Sequence, residues 1–393
     1  MFFRFYERLG LFLPPSHKKK GAFWFHAASV GEVRSLKRVT ELIRKNYEDI
    51  ALVVSVMTEG GYDTALQEIK PDIALMLPVE NCIAIRRSLR KYKVKLFFIT
   101  DSEFWPILIH SIPKKIPLFL LNARISDKTF SNYYTFRLLF APLLKKFKAI
   151  FAKSGEDADK FARIIGGEPD NLFVGGNVKF FLDEEEPVTP KIKGITGRVA
   201  FAASTHAPEE DTFLRCAEKL RKDFDRFVIA PRHIRRAAEV KELSKKHGFK
   251  TALYSDKNRK GAEVIVVDEL GLLEGIYKVS SRIFVGGSMA DIGGHNIFEA
   301  LKHRKSVAVG KYTYNFKDIV PLALEYGVAE VVNNESELLS YLAPPHLKCS
   351  FEPFLRHIAQ KQNAYFDTVM KYIQDALDDH SSGVYQKNKP EKL

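Results

Sequence analysis

The sequence predicts an α/β protein of two doubly wound domains, each a parallel sheet with helices on both faces. Three observations carry this. Short apolar runs of strand length recur along the chain, and most are followed by a turn and a helical segment, the pattern of βαβ units. The alternation is interrupted once, by a polar stretch rich in Pro and Gly, and then restarts. At 393 residues, with 46% of them hydrophobic, the chain is long for one core and has apolar side chains enough for two.

In chain order, residues 1–20, "MFFRFYERLGLFLPPSHKKK", come first. They are too short and too charged to span a bilayer, and no small-residue cleavage site suggests a removed signal peptide. Their aromatic and aliphatic side chains, with Arg4, Arg8 and Lys18–Lys20, suit a membrane interface; a helix packed on its own domain is the alternative. The runs "GAFWFHA", "IALVVSV", "IALMLP", "KLFFIT", "IPLFLLNA", "AIFAKS" and "NLFVGG" mark the strands of a first domain over 21–182. Helical segments are expected at 32–46, 60–70 and 81–92. The polar stretch "DEEEPVTPKIKGITG", 183–197, is the expected linker. "RVAFAAST", "RFVIAPR", "FKTALYS", "AEVIVVD", "SRIFVGG", "SVAVG" and "VAEVV" mark a second domain over 198–352. Residues 353–380 read as a closing helix, and 381–393 as a disordered tail. Ligands of open α/β sheets bind at the carboxyl ends of strands, so the two domains are expected to face a cleft.

Lys and Arg number 61 against 48 Asp and Glu, a net charge of +13. Such a balance suits a polyanionic partner: nucleic acid, an anionic membrane surface, or phosphorylated substrates. Cys82, Cys216 and Cys349 are scattered and form no CxxC. This is the usage of a reducing compartment, with no disulfide framework and no zinc site.

The polar clusters all follow predicted strands. In "FVGGSMADIGGHNIFEA", 284–300, four glycines precede an expected helix start at 293–296, and that helix carries Asn296 and Glu299. Glycines admit a ligand close to the backbone, and free N–H groups at a helix start suit a phosphate. Glu299 is suited to ribose hydroxyls. The segment lacks the Gly-Lys-Ser/Thr of the phosphate loop, so a plain structural turn stays open. In "AASTHAPEED", 202–211, Ser204 or Thr205 is expected to cap a helix whose first turn holds Glu209, Glu210 and Asp211; capping leaves His206 unexplained. "IAPRHIRR" ends a strand with Arg232, His233, Arg235 and Arg236, a phosphate site or a solvated basic helix start. In the first domain "HAASVGE" carries Glu32 behind the small residues Ser29 and Gly31. "TDSEFWP" carries Asp101 and Glu103, "LNARIS" carries Arg124, and "GGNVKF" carries Lys179. Two acids on one rim suit proton transfer and stabilisation of a glycosidic cation. There is no GxSxG elbow, no HExxH and no cluster with metal-ligand spacing. No helix-turn-helix, RNP or zinc pattern supports nucleic-acid binding.

Taken in order, "HAASVGE", "SEFWP", "NARIS", "KSGEDADKF", "GNVKF", "AASTHAPEE", "PRH", "FVGGSMADIGGHNIFEA" and "YTYNFKDI" give the chain, over nearly its whole length, a resemblance to the 3-deoxy-D-manno-octulosonic acid (Kdo) transferases of lipopolysaccharide synthesis. The resemblance implies a GT-B glycosyltransferase, inverting and independent of metal, with no cofactor. It implies CMP-Kdo as donor, bound by the second domain, and a lipid A precursor (lipid IVA) as acceptor, bound by the first. It implies work at the cytoplasmic face of a Gram-negative inner membrane, with no nucleic acid partner. Carried over by residue, Glu32 is the base, and Glu103 and Lys179 stabilise the transition state. Pro231, Arg232, Gly293, Gly294, Asn296, Ile297, Phe298 and Glu299 hold the nucleotide sugar. Ser29, Gly31, Arg124, Ser204 and His206 are possible substrate contacts. Where the family carries Gly-Glu-Leu near the nucleotide, this chain has Gly271, Leu272 and Leu273. Backbone groups, Glu269 or Glu274 must then replace the missing carboxylate. A GT-B enzyme using a UDP-sugar is the nearest alternative, and a basic nucleic-acid-binding module the one outside the class.

Overall fold

In a computed structural model, residues 6–78, 81–101, 104–167, 169–182, 192, 194–344 and 349–381 are described. They contain fourteen strands, one for each apolar run singled out above. The first seven are β1 (Gly21–His26), β2 (Ile50–Val56), β3 (Ile73–Met76), β4 (Val94–Thr100), β5 (Leu118–Ala123), β6 (Phe147–Ala152) and β7 (Leu172–Val174). They form one parallel sheet in the order β3-β2-β1-β4-β5-β6-β7. The other seven are β8 (Val199–Thr205), β9 (Arg226–Pro231), β10 (Thr251–Leu253), β11 (Val264–Val266), β12 (Arg282–Val285), β13 (Val307–Val309) and β14 (Ala329–Val331). They form a second parallel sheet in the order β10-β11-β9-β8-β12-β13-β14.

Both sheets are doubly wound. From β1 the chain runs outward through β2 and β3, then returns and builds the other way from β4. From β8 it runs outward through β9 to β11 and returns to build from β12. Each sheet therefore has one switch point, between β1 and β4 in the first and between β8 and β12 in the second. Loops leaving the carboxyl ends of those two strands diverge to opposite faces and open a crevice.

The strands are apolar on both sides because both faces of an all-parallel sheet are covered. Along β1, Ala22 and Trp24 enter one core with Val53, Phe97 and Leu120, while Phe23 and Phe25 enter the other. On the second face Phe25, Phe98 and Phe119 stand in register on three adjacent strands, with ring centroids 4.4 and 5.0 Å apart. This stack spans the switch point and fixes the strand ends that carry the polar loops.

The chain divides into two compact units, residues up to Phe181 with those from Lys361 onward, and Leu182–Gln360. The long helix Glu352–Ser381 contributes to both. Its Tyr365, Phe366, Val369, Ile373 and Ala376 complete the first unit's second core. Most of the expected linker, 183–197, lies outside the described residues, as does the tail from residue 382. Of the first twenty residues, 6–20 are described. Leu13 and Glu7 are buried, and the Glu7 carboxylate accepts the Met76 N–H at 2.9 Å. Leu9, Leu11 and Phe12 of the same segment are exposed. The segment is thus anchored on its own unit and still presents apolar side chains to solvent.

Candidate active site

The residues singled out in the sequence fall into two groups, one on each unit. In the first unit Glu32 lies in the first turn of helix Val30–Ser35, which leaves β1 at the switch point. The stretch Ser29-Val30-Gly31-Glu32 has the spacing of a capping box. The bonds made differ from that motif. One carboxylate oxygen accepts the Ala28 N–H at 2.7 Å, and the other accepts the Ser29 hydroxyl at 2.9 Å. Ser29, the N-cap residue, caps no N–H of its own helix. Glu32 is therefore held from behind by its own loop and is half-buried. Gly31 beside it is exposed. The loop rests on a buried set below it. The Ser55 hydroxyl joins Trp24 Nε1 at 2.8 Å to His26 Nδ1 at 3.0 Å. Burial pushes His26 down to about 4, so it is neutral at physiological pH and serves as support.

Across the switch point Asp101 follows β4 and Arg124 follows β5. Near both strand ends a residue takes the left-handed region, Asp101 just after β4 with φ 62° and Asn122 one residue before the end of β5 with φ 51°. The Arg124 N–H donates to the Asp101 carbonyl at 3.4 Å, and its side chain is exposed. Glu103 lies outside the described residues. Lys179 lies in the short 3-10 turn Val178–Phe180 after β7, and its side chain is outside them too. The structure therefore brings Glu32 and Arg124 to one edge of the sheet.

In the second unit the same geometry recurs at β8 and β12. Here one sequence expectation is corrected. Neither Ser204 nor Thr205 caps the following helix. β8 runs through Thr205, Ser204 has φ 53°, and helix Glu209–Lys219 starts behind Pro208. Glu209 stands in the first turn of that helix, as expected, and does more than meet the helix dipole. It is 1% exposed, and its carboxylate accepts five backbone N–H groups: His206, Gly287, Ser288, Met289 and Ala290, at 2.7–3.2 Å. The first half of the Gly-rich loop is thus an anion nest already filled by the protein's own carboxylate. Gly286 permits it, because a Cβ there would meet Glu209 Oε2 at 2.6 Å and Thr205 Cα at 2.7 Å. Glu210, also buried, takes the guanidinium of Arg236 at 2.7 Å. Arg236 is therefore engaged, whereas Arg232, just after the buried Pro231, is exposed and meets no side-chain partner among the described residues.

The helix expected to start at 293–296 starts later, as the single turn Phe298–Leu301. Gly293 and Gly294 take φ values of 98° and 80°, which no helix admits, and the Asn296 side-chain Oδ1 accepts the Phe298 N–H at 3.0 Å. Asn296 also donates to Glu299 at 3.3 Å, which orients that carboxylate. Ile297 and Phe298 are buried and underpin the loop. At Gly271-Leu272-Leu273 the Leu272 side chain is buried, and Leu272 precedes helix Leu273–Val279. Glu274 is taken by Lys302 at 2.9 Å and His303 at 3.1 Å. Of the two acids considered as replacements, Glu269 alone is exposed.

One residue was missed as a site member. His295 Nε2 lies 2.9 Å from His206 Nε2, bridging the β8 and β12 loops. A lone histidine directly after a Gly-Gly pair was the available signal. Among the described residues no group of three or more His, Cys, Asp or Glu is placed to hold a metal ion.

Helices Asp127–Thr135 and Arg137–Leu144 cover little of the core. Residues 130–148 do not form one buried helix, since Leu138 is 90% exposed and Phe136 and Leu139 are exposed beside it. Among the described residues no helix is long and apolar enough to cross a membrane.

Two parallel, doubly wound units with polar loops at both switch points define the GT-B class of glycosyltransferases and epimerases. A UDP-N-acetylglucosamine 2-epimerase of known structure shares the fold over 96% of this chain and all of its own, with a TM-score of 0.56 and 16% identity. The family described as 3-deoxy-D-manno-octulosonic-acid transferase matches residues 3–182. The 3-deoxy-D-manno-octulosonic acid transferase of Aquifex aeolicus is 30% identical over 341 residues, covering 86% of this chain and 90% of the relative. A bifunctional glycosyltransferase/methyltransferase of Fusobacterium nucleatum is 31% identical over 340 residues, 82% of this chain; the chain spans about half of that longer protein, 52%. The chain belongs to the 3-deoxy-D-manno-octulosonic acid transferase family, and with it to the glycosyltransferases.

Proposed function

We propose that the protein transfers Kdo from CMP-Kdo to a lipid A precursor, lipid IVA, inverting the anomeric centre without a metal ion. The observation that carries this reading is Glu32, a half-buried carboxylate held from behind by Ala28 and Ser29 at the first sheet's switch point. The acceptor hydroxyl gives its proton to Glu32 as its oxygen attacks the anomeric carbon. The C–O bond to the phosphate breaks through an oxocarbenium-like state, which Glu103 and Lys179 stabilise. One in-line displacement inverts the centre. Arg232 and the backbone of the 293–296 turn meet the phosphate charge that a metal would otherwise meet. Asn296 and Glu299 hold the ribose, and the backbone at Gly271 and Leu272, or Glu269, takes the part of the family's absent carboxylate.

Nucleotide competition tests the donor. CMP is expected to inhibit transfer competitively against the donor and UDP to leave it unaffected. Inhibition by UDP with no effect of CMP would assign a UDP-sugar instead.

We place the enzyme at the cytoplasmic face of the inner membrane. Support comes from the exposed Phe136, Leu138 and Leu139 next to Arg137 and Lys145, and from Leu9, Leu11 and Phe12. Burying one such leucine is worth about 1.5–3 kcal/mol. Leu138→Ser combined with Leu139→Ser is therefore expected to lower flotation with anionic phospholipid vesicles at least about tenfold. Unchanged flotation would contradict the docking surface.

A further inference from the structure

The imidazoles of His206 and His295 are nearly coplanar, 9° apart, with ring centroids 5.2 Å apart and Nε2 to Nε2 2.9 Å. This is an in-plane N–H···N bond, not a face-to-face stack. It requires one proton between the two Nε2 atoms. In the neutral pair one ring carries that proton and has a bare Nδ1, and the other carries its proton on Nδ1. Neither Nδ1 meets a partner among the described residues. The pair therefore presents one acceptor and one donor at the mouth of the donor site.

Its surroundings are built for an anion. His233 stands edge-on to His206 with centroids 5.8 Å apart. Arg232 acts on His295, and Arg236 acts on His206. Glu209 and Glu210 face His206 from the following helix, but Glu209 is spent on the Gly-rich loop and Glu210 on Arg236. Thr205 Oγ1, one residue before His206, is buried and without a partner. Gly287 leaves the rings their place, since a Cβ there would meet His295 at 2.8 Å and His206 at 3.5 Å.

Resting on the donor assignment above, we propose that His206 and His295 act as one proton-sharing pair that takes up a proton when the nucleotide phosphate binds and returns it to that phosphate as it leaves. Uptake fills the bare Nδ1, so the pair becomes cationic and the Nδ1–H on the phosphate side donates to it. In the transfer step the acceptor O–H proton goes to Glu32, the acceptor oxygen bonds the anomeric carbon, and the C–O electron pair stays on the phosphate oxygen. One Nδ1 proton then passes to the departing phosphate. The pair is neutral again, Glu32 holds the acceptor's proton, and solvent restores both.

Burial holds His295 at about 4 and lowers His206, so the empty site carries a neutral pair at physiological pH. A negative charge about 4 Å away, at the effective dielectric of a protein surface, moves such a midpoint up by about 3 pH units. Phosphate binding therefore switches the pair's protonation.

Titration calorimetry of CMP into the full chain, in two buffers of different ionisation enthalpy at about pH 7.5, counts the protons, since free CMP is then largely a dianion. Uptake of about a quarter of a proton per CMP or more is expected, and none with cytidine. His295→Asn and His206→Asn are each expected to abolish the uptake, to change CMP affinity less than about tenfold, and to lower kcat by about a hundredfold with little change in KM. Uptake that survives both variants would overturn the proposal. So would CMP binding to the unmodified chain with no uptake, which needs no variant to fold. Failure of CMP to bind at all would overturn the donor assignment itself.

Discussion

Glu32→Gln leaves a folded protein that binds its donor and transfers almost nothing. General-base removal costs about 10²- to 10⁴-fold in rate, and kcat is expected to fall in that range with the CMP inhibition constant unchanged. The separation is possible because Glu32 belongs to the first unit, where Ala28 and Ser29 hold its carboxylate. A glutamine keeps one acceptor oxygen for Ala28 N–H or for the Ser29 hydroxyl. The loss at the helix start should stay near the ~1 kcal/mol of a missing cap. If Glu32 served only to finish that helix start, the variant would retain near-normal turnover with a small loss of stability. Turnover and stability therefore separate the two roles in one variant.

Glu209→Ala is expected to be the most destabilising single change in the second unit. Five N–H groups lose one buried, charged acceptor. Each bond to a charged group is worth about 1.5–3 kcal/mol, and a buried donor left unmet costs about 1–3. Loop relaxation and water entry recover much of that sum, so a loss of about 4 kcal/mol is expected from urea unfolding. Donor binding should fail with it, because the same loop carries Gly293 to Asn296. Glu209→Gln, with one acceptor oxygen in place of two, should lie between. A stability change under ~1 kcal/mol for the alanine variant would mean that the loop holds its shape unaided.

The strands were legible because a parallel sheet buried on both faces writes continuous apolar runs into the sequence. The Gly-rich loop was legible as special, but its occupant was not. Glu209 and Gly287 are 78 residues apart and meet only because the winding puts β8 beside β12. In a one-dimensional reading, three acids at a helix start are explained by the helix dipole, and that explanation hid Glu209. His295 was hidden for the same reason, since its partner lies 89 residues earlier. The helix start expected at 293–296 slipped to Phe298 because two consecutive glycines at positive φ break a helix that apolar spacing alone would begin. Glu32 was legible as an acid after a small-residue turn; that its own loop holds both its oxygens depends on backbone direction and needed coordinates.

The central claim is Kdo transfer with Glu32 as base. Mass spectrometry of a lipid A precursor incubated with CMP-Kdo and the enzyme tests it most directly, with Glu32→Gln run in parallel. A precursor heavier by one or more Kdo residues is expected with the unmodified protein, and unchanged precursor with the variant. An unmodified precursor from the native protein, or equal product from both, would contradict it.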